Sequence, residues 1–194
     1  GQARTLDGSV LAIADAERAQ AIAGVMGGAD SEVTDATTDV LLEVAYFDPK
    51  RTRLGRKRAG VSSDASYRFE RGVDRAATLD LLRDGAALVV AAAGGRVEAI
   101  LDVGAAPGAL PAVRLRTPRV ARLLGAPVPD AEIERLLAGV GFALAREGGD
   151  EVAWMVQPPA WRHDVTREAD LVEEVARLRG FDALPDEVRP FRPG

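Results

Sequence analysis

The sequence predicts an α+β protein built from two modules, and three observations carry that expectation. Short apolar runs bounded by turn residues, Ser9–Asp15, Ala19–Gly28 and Asp39–Phe47, have the length of strands rather than helices. Between Asp74 and Gly94 the apolar positions recur with helical spacing in two adjacent stripes. Composition then breaks at Gly104–Pro111, "GAAPGALP", and a second set of helix and strand patterns begins. The expected organisation is a first module at 1–104, a linker at 105–112, a second module at 113–185 and a tail or linker at 186–194.

In the first module, Ser9–Asp15 and Ala19–Gly28 read as short buried strands, the second closed by a Gly27-Gly28 turn, with Met26 in the core. Asp39–Phe47, "DVLLEVAYF", reads as a stronger strand. Its Leu41, Val44 and Phe47 share no single alternating face, so both faces are expected to be covered. Asp48-Pro49 is a cap followed by proline, the start of a helix that carries Arg51, Arg53, Arg56, Lys57 and Arg58 and stops near Gly60. Val61–Gly72, "VSSDASYRFERG", stays open between two conformations. In an extended wall Tyr67 and Phe69 share a face; in the alternative, Asp64 caps a turn beginning at Ala65. Asp74 is the expected cap of the next helix. Its stripes Leu81, Gly85, Leu88, Ala92 and Thr78, Leu82, Ala86, Val89 suit packing on a sheet. Gly94-Gly95 ends it, and Arg96–Gly104 reads as a further strand.

The second module reads as helix, helix, hairpin, helix, an order close to a small winged-helix-like α/β unit. A short helix follows Pro118. A second has Asp130 as its expected cap and Ile133, Leu136, Leu137 and Val140 facing inward. Phe142–Pro159 reads as a hairpin turned at Gly148-Gly149-Asp150. The last helix has Thr166 as its expected cap and Leu171, Val175 and Leu178 on one face.

Composition narrows the chemistry. The 194 residues contain no cysteine, which excludes disulfides, thiolate metal sites and a cysteine nucleophile. The longest apolar run, Ala86–Ala93, is too short to cross a bilayer, so no membrane association is expected. A net charge of -5 hides an asymmetry, because Lys50–Arg71 holds eight basic residues against two acidic ones. An acidic protein can still meet a polyanion through such a patch; a solvated basic helix is the plainer reading.

The lone histidine, His163, supplies neither a histidine-rich metal site nor a credible triad with Ser62, Ser63 or Asp64 in the other module. The glycines of "GVMGG" match no phosphate-binding fingerprint and fit a tight turn or a close backbone approach. Glu43 lies inside an apolar run, where a carboxylate needs a partner. Asp164, Asp170, Glu173 and Glu174 form an acidic set in which Asp170 and Glu174 share a helical face. A hard divalent cation would relieve their repulsion, and pairing of Glu173 with Arg177 is the alternative.

Two long segments carry a more specific signal. Ile22–Pro49, "IAGVMGGADSEVTDATTDVLLEVAYFDP", followed by Ser62–Asp74, "SSDASYRFERGVD", resembles the editing domain of the beta subunit of bacterial phenylalanine-tRNA ligase. Pro158–Pro185, "PPAWRHDVTREADLVEEVARLRGFDALP", resembles the module that follows it in that subunit. The resemblance implies a partial β-rich editing domain with packed helices, which hydrolyses tyrosine wrongly attached to tRNA(Phe). It places Gly24, Gly27, Glu43, Ser63 and Ala65 around the amino acid, with serine at 63 where the family often has threonine. In that scheme Ala65 leaves room near the ring and Glu43 reads the tyrosine hydroxyl, a donor that phenylalanine lacks. No general base is implied.

The family's site also draws on a histidine and its neighbours from further upstream, and the Leu6–Gly8 to Ile13–Asp15 segment is shorter than in the family. The expectation is therefore a portion of a longer subunit or a truncated relative, inactive alone. The resemblance further implies Mg²⁺ at Asp164, Asp170, Glu173 and Glu174 near the alpha subunit, and tRNA backbone contacts from Lys50, Arg51, Arg53, Arg56, Lys57 and Arg58. It also implies that ATP is used only by the whole enzyme, a cytoplasmic alpha2-beta2 heterotetramer. The alternative is a tRNA-binding or subunit-docking fragment without editing competence.

Overall fold

The computed structural model describes residues 3–104, 108–149 and 152–185. The chain divides into two units, Gly1–Pro107 and Gly108–Gly194. Part of the expected linker, Asp150 of the expected hairpin turn and the tail at 186–194 lie outside the described residues. The fold is α+β, with one three-stranded antiparallel sheet in each unit.

In the first unit, β1 (Ala12–Ala14), β2 (Ala19–Ile22) and β3 (Met26–Gly27) pair in the order β1-β2-β3. Asp15 turns β1 into β2 by accepting the backbone N–H groups of Glu17 and Arg18, both at 2.8 Å. Helix α1 (Pro49–Ala59) starts as its sequence dictates, with the Asp48 carboxylate accepting the Arg51 N–H at 2.9 Å, and stops at the left-handed Gly60. Helices α2 (Asp64–Phe69) and α3 (Thr78–Ala93) complete the unit.

Several expectations for this unit are corrected. Asp39–Phe47 and Arg96–Gly104 form no strand, because no neighbouring strand among the described residues offers them a hydrogen-bonding edge. Leu41, expected under cover, stands almost fully exposed. Met26 is exposed rather than core. Asp74 does not cap α3; it closes a turn by accepting the Ala76 N–H at 2.8 Å, and the helix begins at Thr78 without a side-chain cap. The wide apolar face of α3 buries none of its residues, and Leu88 is 71% exposed. The helix is approached closely at Gly85, where a Cβ would lie 3.2 Å from the Leu42 side chain.

The second unit holds a continuous core. Its sheet runs β4 (Val113–Arg116), β6 (Ala153–Gln157), β5 (Ala143–Glu147), all antiparallel. Helices α4 (Thr117–Leu124), α5 (Asp130–Ala138) and α6 (Glu168–Arg179) pack against it through Val120, Ile133, Leu137, Leu171 and Val175, each fully shielded from solvent. Burying side chains of this size stabilises by about 1.5–3 kcal/mol each. The helix, helix, hairpin, helix order is as expected, and β4 is an addition that four residues of sequence were too short to reveal.

Two caps differ in this unit. Asp130 occupies the first turn of α5 rather than its cap, and its carboxylate accepts the Thr117 hydroxyl at 2.8 Å, tying two helix starts together. Thr166 is not the cap of α6 either. Arg167 holds that position, and Asp170 reaches back to accept its N–H at 2.8 Å. Among the described residues no helix is long and apolar enough to cross a membrane.

Candidate functional site

Gly24, Gly27, Glu43, Ser63 and Ala65 line one cavity of about 700 Å³ in the first unit. They come from the β2–β3 turn, the extended segment before α1 and the start of α2. The floor is aromatic: the rings of Phe47 and Phe69 meet with centroids 5.1 Å apart at 58°. Both press on Gly24, where a Cβ would lie 3.0 Å from Phe47 and 3.3 Å from Phe69. Gly24 also has φ +66°, so glycine is required twice over, by the left-handed turn and by the ring contact.

Sequence reasoning does not find Phe47 and Phe69 as site residues. Their contact joins positions far apart in sequence, and the pattern of Val61–Gly72 leaves its conformation open. The helix at Asp64–Phe69 decides it: Phe69 enters the cavity while Tyr67 faces out and stacks under the Arg71 guanidinium at 3.4 Å.

The only carboxylate among the five candidates belongs to Glu43. Among the described residues no hydrogen bond or ion pair engages it; the residue stays exposed, and partial desolvation beside the apolar wall pushes its pKa up. An acceptor of raised basicity on an aromatic-floored cavity suits a ligand with an apolar ring and a hydrogen-bond donor. Ser63 also lines the cavity, as the N-cap of α2. Its side chain accepts the Ser66 N–H at 3.1 Å and donates to the Val25 carbonyl at 2.5 Å.

Of the basic residues on α1, Lys50, Arg51, Arg53, Lys57 and Arg58 are exposed. Arg56 differs. Its Nε lies 3.0 Å from Glu70 Oε2 in a half-buried ion pair that joins α1 to the end of α2.

In the second unit three of the four acidic candidates, Asp164, Asp170 and Glu174, are engaged by arginine. Arg162 donates to Asp164 at 2.8 and 2.9 Å and to Glu174 Oε1 at 2.9 Å, and Arg177 reaches Glu174 Oε2 at 2.5 Å. These hydrogen bonds, first of all those from Arg162, hold the Asp164 and Glu174 carboxyls below their usual range. Asp170 is turned to Arg167 and the start of α6, and Glu173 is exposed.

Both units have counterparts among known proteins. Residues 1–94 match the B3/4 domain and residues 113–181 match the tRNA synthetase B5 domain. The "Phenylalanine--tRNA ligase beta subunit" of Anaeromyxobacter dehalogenans is 46% identical over 187 residues, 96% of this chain. That of Salinibacter ruber is 45% identical over 97% of the chain, and that of Rhodospirillum rubrum 40% identical over 100%. The chain belongs to the phenylalanine-tRNA ligase beta-subunit family. It spans less than a quarter of the length of these curated relatives, 23%, 22% and 24% respectively.

Within that family the candidate cavity lies in the B3/4 match and the acidic set in the B5 match. The Mg²⁺ expected at the acidic set finds no cage of protein ligands. Among the described residues no three histidine, aspartate or glutamate side chains group around a common point. Both oxygens of Glu174 carry guanidinium partners, so a cation there would have to displace Arg162 and Arg177. As arranged in this chain, these residues do not fit the metal.

Proposed function

We propose that the first unit supplies the amino-acid pocket of a hydrolytic editing site in a phenylalanine-tRNA ligase beta subunit, acting on tyrosine mis-attached to tRNA(Phe). The observation that supports this reading is the convergence of Glu43, raised in pKa and without a partner among the described residues, with Gly24, Gly27, Ser63 and Ala65 on a cavity floored by Phe47 and Phe69. A tyrosine ring fits an aromatic floor beside the small Ala65. Its hydroxyl satisfies Glu43, and phenylalanine would leave that carboxylate unpaired. The exposed cations of α1 would neutralise phosphates and position the RNA without reading its sequence.

ATP and Mg²⁺ use, the alpha subunit, the alpha2-beta2 assembly and the cytoplasmic setting belong to this proposal for the whole enzyme. The second unit serves there as a docking module whose Asp164, Asp170 and Glu174 are held by its own arginines.

The test is deacylation of tyrosyl-tRNA(Phe) by the full-length beta subunit assembled with its alpha partner. Changing Glu43 to Ala should reduce hydrolysis about tenfold or more, the scale of one hydrogen bond to a charged group. Unchanged hydrolysis would remove Glu43 from the site and favour the alternative reading, a tRNA-binding or subunit-docking segment.

A further inference from the structure

We propose that Ser63 is the positioning residue of this pocket: its hydroxyl latches the β2–β3 turn to the start of α2 and sets the distance between the two walls. The inference rests on the editing reading above and changes what Ser63 does in it. A serine hydroxyl owns one proton and two lone pairs. The proton is committed to the carbonyl of Val25, at 2.5 Å, and one lone pair takes the Ser66 N–H at 3.1 Å. Nothing remains with which to donate to a substrate carbonyl or to a developing oxyanion.

The latch is reinforced from both ends. Ser66, fully buried, accepts the Ser63 N–H at 2.9 Å and donates its own hydroxyl to the Ser63 carbonyl at 2.8 Å. Val25 is 2% exposed, and its N–H donates to the Ile22 carbonyl at 2.9 Å within the turn. Gly24, on the aromatic floor, precedes Val25, and Ala65 lies two residues beyond Ser63. The glycine turn and the alanine lip are therefore spaced by this one side chain, across positions 38 apart in sequence. Ring selectivity depends on that spacing, because Glu43 can read a hydroxyl only if the ring is held in one place.

The experiment measures kcat and KM for hydrolysis of tyrosyl- and phenylalanyl-tRNA(Phe) by the full alpha2-beta2 enzyme, with three substitutions that separate the roles of Ser63. Ser63→Thr keeps both the cap and the proton. Ser63→Asp keeps the helix cap, since a carboxylate accepts the Ser66 N–H, but has no proton for Val25. Ser63→Ala loses both.

A latch predicts that Ser63→Thr stays within about twofold of the parent, and that Ser63→Asp and Ser63→Ala lower the tyrosine-to-phenylalanine ratio of kcat/KM about tenfold, the worth of one buried hydrogen bond. A parental ratio in Ser63→Asp overturns the latch, as does a lowered ratio in Ser63→Thr. The threonine arm decides the matter even where the aspartate perturbs folding. Glu43→Gln, measured alongside, separates the two levels. If it leaves the ratio unchanged the editing reading falls and the latch with it. If it lowers the ratio while Ser63→Asp and Ser63→Ala do not, the latch alone falls.

Discussion

The guanidinium of Arg162 donates to the carboxylate of Glu174 at 2.9 Å, and Glu174 is only 6% exposed. The same guanidinium holds Asp164 and lies 5.5 Å from the centre of the Phe142 ring. One side chain thus supplies the positive charge that an acidic cluster in this position would otherwise draw from a cation.

Removing that charge should destabilise the second unit. Arg162→Leu leaves Glu174 with Arg177 alone and Asp164 without its partner, an expected cost of about 3 kcal/mol because a largely buried charge loses a partner. Thermal unfolding checks it. Millimolar Mg²⁺ added to the parent chain is expected to leave its Tm unchanged, since both Glu174 oxygens are occupied by arginines. A magnesium-dependent rise would show that the cation displaces them.

Acid should weaken the same unit. Glu174 is lowered chiefly by the Arg162 hydrogen bond, Glu168 by Arg116 and Asp170 by Arg167. A carboxyl depressed in the folded state contributes stability that is fully present above the unfolded carboxylate range, about pH 4. That contribution is lost as pH falls through the lower folded values. Melting temperature should therefore be level from about pH 7 to 5 and fall below about 4. The fall should be shallower in Arg162→Leu.

Gly24→Ala should damage the pocket. The residue sits at φ +66°, and its new methyl would lie 3.0 Å from the Phe47 ring. Left-handed backbone costs a non-glycine residue about 1–2 kcal/mol before the ring has moved. The expected outcome is a larger loss of tyrosyl-tRNA hydrolysis than of thermal stability.

The cations of α1 should separate into two kinds. Exchanging Lys50, Arg53 and Lys57 for glutamine should weaken RNA binding and flatten its dependence on salt, because each phosphate contact releases a counterion. Arg56→Gln should instead lower stability, since Arg56 is spent on Glu70. Binding isotherms at several salt concentrations together with melting curves distinguish them. Equal salt slopes in parent and variant would exclude α1 from the RNA surface.

Hydrogen exchange should rank the two units. Amides of β6 and α6, packed on the fully buried Leu115, Val156, Leu171 and Val175, should exchange far more slowly than those of α3, which buries no residue. Equal protection would mean that α3 is covered in solution.

Local signals in the sequence determined a good deal: Asp48-Pro49 started α1, Gly60 and Gly94 stopped α1 and α3, and the hairpin and α6 followed from their periods. These depend on interactions within a few residues, which a linear pattern records. The two long segments resembling the ligase beta subunit also named the five residues that share the cavity. Tertiary structure decided the rest. Whether Asp39–Phe47 is a strand depends on a neighbouring edge, and its own apolar pattern cannot supply one. Whether Asp170 joins Glu174 or caps α6 depends on which donors lie nearest, and backbone N–H groups at the helix start won. Ser63 shows the division most clearly. The resemblance marked it as a hydroxyl of the pocket, but only the folded chain brings the Val25 carbonyl to within 2.5 Å and commits its single proton there.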